Sequence, residues 1–278
     1  MPENVFDNPG RKVRLDDLSA EPPKGMNRGK AGKRFAALGK DLFELQDAMF
    51  GAKVHSVLVV LQGRDGAGKD GTIKHVVGCL NPRGVAVTSF GVPTQEEREH
   101  DFLWRVHRHA PRLGEFAIFN RSHYEDVLAA RIHGLAPKGL WQERFGHIRD
   151  FEELLAEHGT IVLKYFLHIT KKEQKERLLA REAEPETAWK LNPNDWKERD
   201  CWDDYTRAYE DAISRTAAKH APWIVVPANS KWYRNLVIAE SIVGALRDRR
   251  KDWQKKLEQM GKAGKAGLAA YRKRRARP

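Results

Sequence analysis

Residues 63–71 read Gly63-Arg64-Asp65-Gly66-Ala67-Gly68-Lys69-Asp70-Gly71 and directly follow the apolar run Val57 to Leu61. This is a strand feeding a glycine-rich phosphate loop of the G-x-x-x-x-G-K form. Its glycines let the backbone curl so that successive N–H groups point at phosphate oxygens. Lys69 adds a full positive charge, and a helix over Thr72 to Leu80 presents its positive end. Gly66, Ala67, Gly68, Lys69, Asp70 and Gly71 are therefore the candidate phosphate-binding positions. Such loops usually close on Gly-Lys-Ser/Thr, whose hydroxyl ligates Mg²⁺. Here Asp70 takes that place, so a metal must be held differently. Asp65 is the candidate ligand, because a carboxylate among phosphate-binding amides is repelled by the ligand unless a cation lies between them. Its alternative is a turn-stabilising contact; Asp70 equally suits a helix first-turn acid.

Outward from the loop, apolar runs alternate with helical spacing. Lys33 to Phe50 carries Phe35, Leu38, Leu42, Leu45 and Met49 at helical intervals. Strands are expected at about His55 to Gln62, Val85 to Phe90, Phe116 to Asn120, Ile161 to Ile169 and Trp223 to Val226. Charged Gln95 to His109 reads as one helix, and a last helix starts near Lys231. Alternation of this kind implies an α/β fold with a mostly parallel five-stranded sheet, helices on both faces, and ligands beyond the carboxyl ends of the strands. Residues 1–30, with Pro9, Pro22, Pro23 and Gly25, read as an arm over a domain spanning 31–250. The charged stretch from about 171 to 209 breaks the alternation at Pro185 and Asn192-Pro193, as a helical lid would. Lids exclude the water that competes for a phosphoryl group. Arg177 and Arg181 share one face of its first helix, for lid function or for pairing with acids such as Glu173 and Glu184.

The chain has 278 residues and a formal net charge of +12. Residues 247–278 hold 13 Lys/Arg against 3 Asp/Glu, so this stretch carries +10 and the rest is nearly balanced. The tail from 251 to 278 is either a solvated helix or an electrostatic tether for a polyanion. A polar N-terminus without a signal peptide, no apolar run near the ~20 residues that span a bilayer, and two cysteines without metal-ligand spacing predict a reduced, cytoplasmic protein with no membrane partner. Only Trp253 and Tyr271 punctuate the basic tail, so nucleic acid is an unfavoured partner.

The third strand ends Asn120-Arg121-Ser122-His123-Tyr124. In phosphate-loop enzymes an acid at this place helps hold the metal, and the amide of Asn120 cannot supply its charge. Arg121 would face the phosphates from the side opposite Lys69 and neutralise charge on the transferring group. Asn120, Arg121, Glu125 and Asp126 complete the candidate phosphate- and nucleotide-binding set, and Glu125 and Asp126, one turn on, could take over metal or nucleotide contacts. His123 is open to two roles, general base or hydrogen-bonded strand-end histidine.

Together, residues 63–71, Asn81-Pro82-Arg83-Gly84, Phe119 to Val127 and Trp202-Asp203-Asp204-Tyr205 resemble the polyphosphate kinase 2 family, in order, from about residue 30 to 250. The resemblance implies a thymidylate kinase-like fold and transfer of a terminal phosphate of inorganic polyphosphate to a nucleotide with Mg²⁺, or Mn²⁺ in its place. It implies catalytic roles for Asp65, Lys69 and Arg121, and lid roles for Arg177 and Arg181. Asn120-Arg121-Ser122 and Glu125-Asp126 resemble the class III pattern, which accepts AMP and ADP and so forms ATP from AMP. A dimer or tetramer is implied by the resemblance alone. A long donor also needs a basic track, for which Lys74, Arg83, Arg131 and Lys138 are candidates. Rival readings are an ADP-only enzyme, an NTP-dependent nucleotide kinase, and a polyanion-binding protein acting through the tail.

Overall fold

A computed structural model describes residues 4–275. Its sheet contains β1 (Val5–Phe6), β2 (Ser56–Gln62), β3 (Val85–Ser89), β4 (Phe116–Asn120), β5 (Thr160–His168) and β6 (Trp223–Pro227), in the order β1-β6-β5-β2-β4-β3. The last five are parallel, with β2 at the centre between β4 and β5. The sheet thus has six strands rather than the expected five. Val5 and Phe6 pair antiparallel with Ile224 and Trp223 at the open edge of β6. A two-residue strand is too short to show alternation in sequence, and it forms because Phe6 buries its ring, only 5% exposed, against the body.

Among the described residues ten α-helices connect and cover the strands: α1 (Arg28–Ala52), α2 (Lys69–His75), α3 (Gln95–Glu99), α4 (Trp104–His107), α5 (Ala129–Ile132), α6 (Lys138–Glu157), α7 (Lys171–Ala183), α8 (Pro193–Asp200), α9 (Trp202–Thr216) and α10 (Lys231–Arg275). Every residue of β2 is buried, as a central parallel strand requires. Val57, Val59 and Leu61 join one apolar cluster with α1 and α10, while Leu58 and Val60 join a second with α6 and α9. The single helix expected over 95–109 is broken in two. His100 is extended, and the Asp101 side chain accepts from the backbone N–H groups of Leu103 (2.9 Å) and Trp104 (3.1 Å), starting a new turn. A short polar side chain that can cap the backbone competes with helix continuation.

α1 and α10 run parallel and in register. Arg34 pairs with Glu240, Asp41 with Arg247, and Gly51 lies under Leu257, a constant separation of 206 positions. Both helices therefore run from the carboxyl edge of the sheet, where β2 delivers the phosphate loop, to the amino edge. There Trp253 Nε1 donates to Nδ1 of His55, just before β2. α1 ends at Ala52, but α10 continues, and residues 258–275 are all exposed. Among the described residues no helix is long and apolar enough to cross a membrane.

Candidate active site at the phosphate loop

β2 ends at Gln62 and α2 begins at Lys69, so the loop must reverse direction within six residues. Gly66 (φ +82°) and Gly68 (φ +103°) adopt left-handed conformations that side chains disfavour. At Gly68 space forbids one as well, since a Cβ would lie 1.8 Å from Nη1 of Arg234. Lys69 is buried, and its Nζ donates to the carbonyl oxygens of Gly63 (2.6 Å) and Arg64 (3.4 Å), with Asp65 at 3.8 Å. Burial pulls its pKa down, against the pull of Asp65 in the other direction.

Arg121 follows β4 with φ +61°, one of two non-glycine residues in this region of backbone space among the described residues. Its N–H donates to Leu61 O at 3.1 Å, which fixes it beside the loop strand. The guanidinium pairs with Asp65 at 2.7 Å while its side chain stays 40% exposed. Burial alone would raise the Asp65 carboxyl, but the charges of Lys69 and Arg121 outweigh it and hold the pKa below the ordinary carboxylate value. The sequence-predicted trio of Asp65, Lys69 and Arg121 is thus one contiguous cluster. Glu125 faces the same cluster; burial raises its pKa, opposed by Arg121 and Lys69. With its amide oriented to satisfy both neighbours, Gln62 donates to Glu125 Oε1 at 3.1 Å and accepts from the Ser122 N–H at 3.2 Å.

Asn120 donates to Asp70 Oδ1 at 3.0 Å, tying the end of β4 to the loop, while its own Oδ1 is buried without a hydrogen-bond partner. Asp126 points elsewhere. Arg144 donates to its backbone oxygen at 2.9 Å, and Arg105 lies 3.7 Å from its carboxylate. The structure brings Glu125 to the loop and turns Asp126 toward α4 and α6.

The two arginines expected in a lid differ from each other. Arg177 donates to the carbonyl oxygens of Gly66 (2.9 Å), Ala67 (3.0 Å), Ala228 (2.6 Å) and Asn229 (2.7 Å) and pairs with Glu173. It braces the outside of the loop. Arg181 pairs with Asp195 of α8 at 2.8 Å and lies close enough to Asp65 to help lower its pKa. The track candidates scatter. Lys74 and Lys138 are exposed, and Arg131 pairs with Asp211 at 2.6 Å. Arg83 precedes β3 at the amino edge of the sheet, its guanidinium over Phe50, so the fold does not bring it to the loop.

Beneath Arg121 lies a buried network. Tyr124 OH donates to Glu152 Oε1 (2.9 Å) and lies 2.8 Å from Thr216 Oγ1. Lys164 Nζ donates to Glu152 Oε2 (2.6 Å) and to Thr216 O (2.7 Å). His123 is fully buried with Nε2 3.2 Å from Glu152, which fits the strand-end role and not an accessible base. Burial would raise Glu152, but Lys164 and His123 hold it below the usual carboxylate range.

Three further residues at the loop escaped the sequence reading. Arg64 stacks on the Trp202 ring at 3.8 Å and donates to Trp202 O and Thr206 Oγ1, fastening the loop to the start of α9; burial pushes its pKa down to about 10. Gln174 Nε2 donates to Asp65 O at 2.9 Å. Arg234 is buried behind Gly68 and Gly71, donating to Asn235 Oδ1 and to Ala67 O; burial and the like charge of Arg177 push it down to about 10. One signal was available for Arg234. It is the charged residue two positions before the apolar run Leu236 to Ala239, in a helix that starts where the strands deliver ligands.

Residues 26–254 match the model of the family Polyphosphate kinase 2 (PPK2). The chain is 47% identical over 240 residues to an AMP/ADP-polyphosphate phosphotransferase of Meiothermus ruber, covering 86% of this chain and 90% of that one. It is 42% identical over 213 residues to an ADP-polyphosphate phosphotransferase of Rhodopseudomonas palustris, covering 72% and 74%. The crystal structure of polyphosphate kinase 2 from Arthrobacter aurescens superposes with a TM-score of 0.83 at 39% identity, covering 87% of this chain and 90% of that one. A family match over most of the chain, with the same fold at this level of identity, joins the motifs around Lys69 and Arg121 to one lineage: the chain belongs to the polyphosphate kinase 2 family.

Proposed function

We propose that this chain transfers the terminal phosphoryl group of inorganic polyphosphate to AMP and to ADP, forming ADP and ATP. The observation that carries the reading is the cluster of Lys69, Arg121 and Asp65 over a glycine-rich loop in a chain of this family. The nucleophile is a phosphate oxygen of the nucleotide, ionised near neutral pH, so the site needs no strong base. His123 could not serve as one, being buried against Glu152. What remains is to bring two polyanions together, align them and screen their charge. The loop amides and Lys69 receive the phosphates. Arg121 exchanges Asp65 for a phosphate oxygen, supplying charge where the transferring group develops it. We assign Arg181, on α7, to the same point because its charge already helps hold Asp65 ionised.

The donor set fits Mg²⁺, or Mn²⁺ in its place. Asp65 is held ionised, and the partnerless Oδ1 of Asn120 is a second hard oxygen beside the loop. Mg²⁺ is commonly held by one or two carboxylates plus substrate phosphates. That suits a protein in which, among the described residues, no three His, Cys, Asp or Glu side chains cluster as a metal site. Bound there, the cation withdraws charge from the phosphate oxygens. We further read the protein as cytoplasmic and homo-oligomeric, a dimer or tetramer, which light scattering on the purified chain tests.

The deciding experiment mixes the chain with AMP, Mg²⁺ and long-chain polyphosphate, without ATP, and follows nucleotides by ion-exchange chromatography. ADP followed by ATP is expected. Conversion of ADP but not AMP would restrict the activity to ADP. No reaction until ATP is supplied would make the chain an NTP-dependent kinase.

A further inference from the structure

The active site and the basic tail lie at opposite ends of the molecule. Arg234 of α10 touches the phosphate loop at Gly68, and α10 then runs toward the amino edge of the sheet beside α1. From Arg234 to Lys262 the helix rises about 42 Å, and to Arg272 about 57 Å, at 1.5 Å per residue. Beyond Glu258 the described segment holds six cations (Lys262, Lys265, Arg272, Lys273, Arg274 and Arg275) and no acid. All of it is exposed, α1 has ended, and among the described residues no acid pairs with these cations. A helix of this kind with Gly261, Gly264 and Gly267 has little stability of its own, and an oppositely charged partner would order it.

We propose that residues 259–275 form a second polyanion-binding site. It grips a distant part of the same polyphosphate chain whose end is in the catalytic loop, and so makes the enzyme favour long donors. The proposal rests on polyphosphate being the donor. A polymer with charge on every unit matches closely spaced cations without needing register. A second copy of the tail would be repelled. Bases of a nucleic acid would find one aromatic ring, Tyr271, already covered by Arg275 at 5.9 Å. Two grips on one chain convert the second contact into an intramolecular one, so affinity rises only for chains long enough to span both.

The test compares wild type with a chain truncated after Gly261 and with a full-length variant carrying Lys262→Gln, Lys265→Gln, Arg272→Gln, Lys273→Gln, Arg274→Gln and Arg275→Gln. KM is measured for tripolyphosphate and for long-chain polyphosphate, with ADP as acceptor. In both variants the long-chain KM should rise on the order of tenfold or more, while tripolyphosphate KM and kcat stay unchanged. An unchanged long-chain KM would overturn the proposal, as would an equal loss with tripolyphosphate. Tighter binding of duplex RNA or of anionic phospholipid vesicles than of polyphosphate, at equal phosphate and salt, would overturn the choice of ligand. Should wild type use neither donor, the functional reading fails. Co-sedimentation of wild-type and truncated chains with long polyphosphate then still decides whether the tail binds it.

Discussion

Around Glu152 and around Lys69 the chain buries charge in opposite ways. The Glu152 cluster is closed: carboxylate, ammonium, phenol, hydroxyl and imidazole satisfy one another, and of its members only His123 Nδ1 lacks a partner. The Lys69 cluster is open. Its ammonium leans on carbonyls of its own loop, Arg121 is 40% exposed in a left-handed backbone conformation, and Asn120 Oδ1 has no partner. A satisfied network fixes one geometry, and backbone strain persists only where the surroundings over-determine it. The closed cluster holds His123 and Tyr124, the second and third residues after Arg121. The open one keeps its donors available for a ligand.

The contrast can be broken in three places, most severely at the open cluster. Lys69→Ala and Arg121→Ala should each lower kcat by about 10²–10³-fold with thermal stability retained. Steady-state assay beside a melting curve checks this, and near-normal turnover would remove these residues from the site. In the closed cluster, Glu152→Gln strands the Lys164 ammonium and should cost about 3–5 kcal/mol of stability, read by urea unfolding. Adding Lys164→Met should recover much of that loss. If the cluster also positions Arg121, Glu152→Gln assayed well below its melting temperature should lower kcat more than it alters KM; unchanged kcat would leave the network purely structural. The smallest effect is at Asp65. Its folded pKa lies below the ordinary 3.8, so its ion pairs stabilise the fold above that value, and this contribution is lost as pH falls through the lower, folded value. The stability difference between wild type and Asp65→Asn should therefore be constant near neutrality and vanish in acid. A difference that persists in acid would mean Asp65 acts by its shape alone.

Much of this was legible in the sequence because it is local. The loop's glycines, Lys69 and Asp65 sit within seven residues, and parallel strands announce themselves as short apolar runs. Arg121 could be placed because it ends such a run. What was hidden depends on long-range meetings. Arg64 sits inside the loop, but nothing local shows that α9 brings Trp202 under its guanidinium. For Arg177 the sequence offered lid function or pairing with acids such as Glu173; the Glu173 pair forms, and four backbone carbonyls that local sequence does not reveal also hold it at the loop. Glu125 and Asp126 are adjacent in sequence and diverge in space because a 3-10 turn at His123–Asp126 rotates one toward Lys69 and the other toward Arg144. Lys164, inside an apolar strand, gave no sign of its partner twelve residues earlier on another element.

The parallel pairing of α1 and α10 also fixes which way the molecule faces when it is held. α10 leaves the fold at the amino edge of the sheet, so a chain attached to a bead, a membrane mimic or a fused partner through its final residues stands with the carboxyl edge turned outward. Its catalytic mouth then opens away from the support, with the exposed residues 258–275, about 27 Å long when helical at 1.5 Å per residue, as the link.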